Sequence, residues 1–113
     1  DEVLTLMSIF SENFESNFSG DKQKIQSLAK AFQGLSPSDI KTIYDKAKVK
    51  SIISATHVID YCQLLFGVFE LKNEGYTESS LVRFLSENGV SQVAIHEAFG
   101  MSLRKIKGFL SEK

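Results

Sequence analysis

Residues 27–53 read SLAKAFQGLSPSDIKTIYDKAKVKSII and predict two helices joined by a tight turn. Gly34 is expected to end the first helix, because glycine readily adopts the left-handed conformation found after a helix C-terminus. Ser36 can cap the second helix, and Pro37 stands at a first helical position, where its missing N–H costs nothing. Asp39 follows Ser36 by three residues, which is close to a capping box with Asp in place of Glu. The stretch therefore predicts a helical hairpin.

Apolar residues recur at three- and four-residue spacing along nearly the whole chain, which contains one proline. This pattern predicts an all-α protein. We expect seven helices, over about 2–13 (reaching as far as 18), 22–33, 37–52, 57–72, 78–88, 91–99 and 102–111. The fourth is apolar enough for a buried central element.

Each predicted helix has an inward face, and the third and fourth faces matter most for the fold. On the third helix this face comprises Ile40, Ile43, Tyr44, Ala47, Lys50 and Ile53. On the fourth it comprises Ile59, Leu64, Leu65, Val68, Phe69 and Leu71. These faces predict that the two helices lie in the core.

The composition is that of an ordinary globular protein, with 42% apolar and 24% charged residues in 113. A net charge of −1 gives no overall attraction to nucleic acid or to anionic membranes. Cys62 is the only cysteine, which excludes an internal disulfide and favours a reducing, cytoplasmic setting. No apolar stretch is long enough to span a membrane. Because the chain begins at Asp1 without a methionine, we expect it to be a fragment of a longer protein.

The order of residues in the hairpin resembles the small helical lid subdomain of AAA-type ATPases. It carries Leu-Ala at 28–29, Gly-Leu-Ser-Pro-Ser-Asp-Ile at 34–40, and Ala47 and Ile52 farther on. The family's usual wording at the turn is Gly-Phe-Ser-Gly-Ala-Asp-Ile, so Pro37 and Ser38 stand in place of Gly-Ala. The resemblance covers about residues 2–66.

This resemblance implies that the turn closes over the adenine of bound ATP and that the lid packs against the next subunit of a ring. The implied nucleotide-contacting residues are Gly34, Ser36, Pro37 and Ser38. The chain contains neither a phosphate loop nor an acidic pair after a strand for Mg²⁺. ATP with Mg²⁺ would therefore be held by a parent protein, and this chain supplies no catalytic residue.

The C-terminal segment is similar to a helix-turn-helix unit of bacterial regulators and resolvases. Gly-Val-Ser-Gln at 89–92 opens a helix, Gly100 makes the turn, and a second helix begins after Ser102. The expected contacts to DNA or to a protein partner come from Ser102, Arg104, Lys105 and Lys107. His96 stands where the motif has Ala or Gly, because the two helices approach closely there. The same cations would equally suit a solvated helix face.

These patterns divide the chain into a lid subdomain at 1–72 and a helix-turn-helix-like extension at 73–113. The leading hypothesis is the C-terminal part of an ATPase that couples ATP hydrolysis to remodelling of a protein substrate or DNA. The alternative is a non-enzymatic DNA-binding protein whose first four helices form a dimerisation bundle. A third is a helical interaction module with an exposed apolar patch.

His57 and His96 lack partners at metal-ligand spacing, and Cys62 is expected to be buried among apolar residues.

Overall fold

The computed structural model describes residues 2–111, which form seven helices and one small parallel sheet. The helices are α1 (Glu2–Phe10), α2 (Lys22–Phe32), α3 (Pro37–Ile53), α4 (Tyr61–Lys72), α5 (Glu78–Glu87), α6 (Gln92–Phe99) and α7 (Leu103–Ser111). Two strands, β1 (Glu15–Ser16) and β2 (Val58–Ile59), pair in parallel, with Glu15 opposite Val58 and Ser16 opposite Ile59. The prediction of an all-α protein is confirmed, with this strand pair as an addition.

The hairpin of α2 and α3 forms for the local reasons that its sequence indicates. The Ser36 hydroxyl accepts a hydrogen bond of 3.1 Å from the Asp39 N–H, and Pro37 opens α3. Gly34 adopts φ +89°, in the region that favours glycine. Among the described residues the return bond of a capping box, from the Ser36 N–H to the Asp39 side chain, is absent here.

The central element is α4, which packs against α2, α3, α5 and α6. Six of its side chains are buried: Tyr61, Cys62, Leu64, Leu65, Val68 and Phe69. The buried apolar residues form one cluster, which runs from Met7 in α1 to Ile106 in α7. The predicted boundary between residues 72 and 73 coincides with the end of α4, and both sides of it contribute to this shared core.

The first helix is shorter than its apolar pattern predicts. It ends at Phe10, and not at residue 13 or 18, because the chain turns before Phe14. Asn13 holds this turn with φ +69°, a left-handed conformation that asparagine tolerates better than most residues. The turn leads directly into β1. Phe14 therefore packs against the core although it is not part of α1.

The fourth helix begins at Tyr61, and not at His57 as predicted. Val58 and Ile59, both β-branched, pair with β1 instead of starting a helix. The Asp60 carboxylate then caps α4 by accepting a hydrogen bond of 3.0 Å from the Cys62 N–H. His57 precedes the strand with φ +55°, which is incompatible with a first helical turn.

Three residues predicted to be inward-facing are exposed: Lys50, Ile53 and Leu71. Ile53 follows Ala47 by six residues, which is about 240° around a helix, so it points away from the core and is 80% exposed. The buried position one turn after Ala47 belongs to Ser51, whose hydroxyl donates to the Lys48 carbonyl at 2.7 Å. Leu71 is 53% exposed because α4 leaves the core in its last turn.

Candidate functional site

The four residues predicted to contact nucleotide lie together on the turn between α2 and α3. Gly34, Ser36, Pro37 and Ser38 are all exposed, so a ligand or a neighbouring chain can reach them. The turn is supported from behind by the end of α4. Lys72 Nζ donates hydrogen bonds to the carbonyls of residues 31 and 33, at 2.7 and 3.0 Å, and thereby caps the C-terminus of α2.

The hydrogen bonds at the start of α3 determine which ligand this turn can accept. Pro37 has no N–H, and the Asp39 N–H is taken by the Ser36 hydroxyl. Among residues 2–111, no group accepts a hydrogen bond from the Ser38 N–H. A helix start with one free N–H and an acidic residue in its first turn is a poor site for a phosphate. A neutral acceptor, such as a ring nitrogen of a base, suits it better.

The predicted contact residues of the C-terminal segment also lie together, at the start of α7. The Ser102 hydroxyl accepts a hydrogen bond of 3.1 Å from the Lys105 N–H and so caps the helix. Arg104 and Lys107 are exposed, and neither has an ion pair within residues 2–111. The structure therefore leaves two cations of this helix available to a partner.

Lys105 differs from these two cations because it is already paired. Its Nζ lies 2.7 Å from Glu78 Oε1, at the start of α5, and 5.9 Å from the centre of the Phe109 ring. Both charged side chains are about half exposed, so the pair contributes little to stability. A contact to a partner through Lys105 would have to compete with Glu78.

His96 fits the turn between α6 and α7 without interrupting α6. The Gly100 N–H donates to the His96 carbonyl at 2.9 Å, and Gly100 takes φ +71° as the helix ends. The His96 ring places Nδ1 at 2.5 Å from the Met101 carbonyl, which can only accept, so Nδ1 carries the proton. The imidazole thus points along the turn, and Ile95 and Ile106 remain fully buried.

The start of α4 contains an interaction that the sequence does not indicate. Asn17, just after β1, accepts a hydrogen bond from the Tyr61 N–H at 2.8 Å and donates one to Asp60 Oδ1 at 3.1 Å. Its own N–H donates to the Ile59 carbonyl at 3.1 Å. Asn17 and Asp60 together satisfy the first N–H groups of α4.

Cys62 and the possible metal-ligand side chains of the described residues are candidates for nucleophilic and metal chemistry. Burial raises the pKa of the Cys62 thiol to about 12, which keeps it protonated at neutral pH and confirms its prediction as a buried residue. Within residues 2–111, no three histidine, cysteine, aspartate or glutamate side chains lie close enough together to hold a metal ion. No helix in this range is long and apolar enough to cross a membrane.

An exposed apolar face lies on the last two turns of α3. Val49 and Ile52 are each more than half exposed, and Ile53 is 80% exposed. Val49 and Ile53, with Lys46 and Lys50 beside them, line a shallow and mostly apolar depression. Such a surface is what the hypothesis of an interaction module requires.

Comparison with known proteins identifies no relative of this chain. No protein-family model matches the sequence, and neither a curated protein nor a solved structure matches it. The resemblances to an AAA lid and to a helix-turn-helix unit therefore depend on the order of residues in the sequence.

Proposed function

We propose that this chain is the C-terminal lid and extension of an AAA-type ATPase that couples ATP hydrolysis to remodelling of a partner. The observation that supports this most directly is the exposed, rigidly capped turn between α2 and α3. It combines the residue order Gly-Leu-Ser-Pro-Ser-Asp-Ile with a glycine in the left-handed region and a serine cap. Its role would be to cover a nucleotide base.

The hydrogen bonds at this turn indicate which part of the nucleotide the turn would bind and which part would be bound elsewhere in such a protein. The turn has the free Ser38 N–H for a neutral acceptor but no cation to neutralise phosphates, since Lys72 is used in capping α2. The triphosphate and Mg²⁺ would therefore be bound by a separate α/β subdomain of the parent protein. Movement of the lid would couple the nucleotide state to the neighbouring subunits of a ring.

The substitution Ser38→Glu in the intact protein tests this role. A carboxylate beside the base is expected to weaken ATP binding about tenfold, which corresponds to about 1.4 kcal/mol. It should leave α3 folded, because an acidic residue in the first turn of a helix is favourable. The measurements are the ATP dissociation constant, by titration with a fluorescent ATP analogue, and the rate of ATP hydrolysis.

The matched control is Val93→Glu, which places the same carboxylate at the same helical position of α6. Ser91 caps α6 as Ser36 caps α3, and Val93 is exposed. ATP binding should be unchanged in this variant. An intact protein that lacks a phosphate loop, or that neither binds nor hydrolyses ATP, would refute the proposal.

A second candidate function is DNA binding by the unit of α5, α6 and α7, with the first four helices serving for dimerisation. It is favoured by Arg104 and Lys107, which are exposed and have no ion pair within residues 2–111. The substitutions Arg104→Ala and Lys107→Ala should each weaken binding to duplex DNA. Each should also reduce the slope of log affinity against log salt concentration by about 1.

Lys105→Ala is the internal comparison, and we expect it to have a smaller effect because Glu78 competes for Lys105. Fluorescence anisotropy with a labelled duplex at several salt concentrations would measure all three variants. Absence of duplex binding at low salt would leave docking of a protein partner as the role of this unit.

A further inference from the structure

A small cleft of about 220 Å³ opens between α1, the segment after β1, and α2. Its apolar walls are formed by Leu4, Met7, Phe18 and Ile25, and four serine side chains lie around them. Tyr44 of α3 completes the lining. No charged side chain of the described residues lines this cleft, so a charged ligand would lose its hydration without a compensating ion pair.

The Tyr44 hydroxyl has no hydrogen-bond partner among residues 2–111, although the side chain is only 1% exposed. Every fully buried side-chain oxygen or nitrogen in this range does have a partner. The small exposed part of Tyr44 must therefore include the hydroxyl. Since Tyr44 lines the cleft, we infer that its hydroxyl faces the cleft and is available to a ligand there.

The packing around the Tyr44 ring fixes this hydroxyl in place. The centre of the Tyr44 ring lies 6.1 Å from the centre of the Phe10 ring and 5.9 Å from that of the Phe32 ring. Aromatic rings at these distances attract each other. Burial raises the pKa of the phenol, so it stays protonated and can both donate and accept a hydrogen bond. By contrast, the Tyr61 hydroxyl is already used, because it donates to the Asn88 carbonyl at 2.7 Å.

We propose that this cleft binds a small uncharged molecule that has an aromatic or similarly compact apolar body and one hydroxyl or carbonyl group. The apolar walls would enclose the body, and Tyr44 would hydrogen-bond to the polar group. The volume fits this class, since an apolar cavity of about 150 Å³ accommodates benzene. The site is independent of the turn between α2 and α3 and of the proposed ATPase.

Two probes that differ by one hydroxyl test the proposal on the intact protein: p-cresol and toluene. Titrations followed by methyl NMR should shift the signals of Leu4, Met7 and Ile25. We expect p-cresol to bind about three- to tenfold more tightly than toluene, the usual effect of one neutral hydrogen bond. Tyr44→Phe should abolish this preference while leaving toluene binding unchanged.

Tyr44→Phe is expected to fold, because it removes a hydroxyl that has no protein partner and keeps the ring. Tyr61→Phe is the matched control and should retain the preference for p-cresol. Ser8→Trp, at an exposed position of the lining, should block both probes without lowering the melting temperature. Equal binding of the two probes, an unchanged preference in Tyr44→Phe, or no binding of either probe would overturn the proposal.

Discussion

Replacing Leu65 by alanine is expected to lower the free energy of unfolding by about 2–5 kcal/mol. Leu65 is fully buried in α4, the helix that contacts four others, so the lost side chain would leave a cavity in the shared core. Such a loss is a large fraction of the stability of a small domain, which is about 5–15 kcal/mol. Urea unfolding followed by circular dichroism would measure it.

Leu71→Ala provides the matched control in the same helix. Leu71 is 53% exposed, so the same change of side chain should cost about 0.5 kcal/mol or less. Hydrogen exchange of both variants would also test whether the chain is one cooperative unit. In Leu65→Ala, we expect amides of α2 and α7 to lose equal protection; loss confined to residues 2–72 would instead indicate two independently folding units.

Gly67→Leu is expected to destabilise the protein by about 3 kcal/mol, because α3 and α4 are in close contact at this residue. A Cβ atom at Gly67 would lie 2.8 Å from Ile43 Cγ2, well inside van der Waals contact. Ile43 is itself buried, so shifting its side chain would disturb the packing of the core. Thermal and urea unfolding would measure the loss.

Gly108→Leu is the contrasting substitution, at a glycine inside α7. A Cβ atom there would meet nothing within 4 Å, so only the better helix propensity of leucine should act. We expect a gain of about 0.5–1 kcal/mol. If the two variants changed stability in the same direction, the close approach of α3 and α4 at Gly67 would be wrong.

Most of the helices could be predicted from the sequence because their signals are local. The caps at Ser36, Thr77 and Ser91 each accept a hydrogen bond from the N–H group three residues farther along the chain. The strand pair could not be predicted in this way. It depends on contacts between segments more than 40 residues apart, and an apolar pattern at helical spacing runs through both of them.

In the candidate site, too, the features that depend on neighbouring residues could be predicted and those that depend on distant contacts could not. The exposure of Gly34 and the capping role of Ser36 follow from residues next to them in the chain. The pairing of Lys105 with Glu78 does not, since it depends on how α7 packs against α5. The cleft at Tyr44 does not follow from neighbouring residues either. The helical spacing of Tyr44 correctly predicts its burial, but not that its hydroxyl has no partner among residues 2–111.

The strand pair and Asn17 also have a consequence for the order in which the protein folds. The hydrogen bond from Asn17 to Asp60 closes a loop of 43 residues that contains the whole α2–α3 hairpin. Closing a loop of this length costs about 3 kcal/mol of chain entropy beyond a constant term, whereas the hairpin itself needs only near contacts. We therefore expect the α2–α3 hairpin to form early in folding and the N-terminal segment to pack against it late. In partial unfolding, we expect α1 to be the first helix to separate from the core.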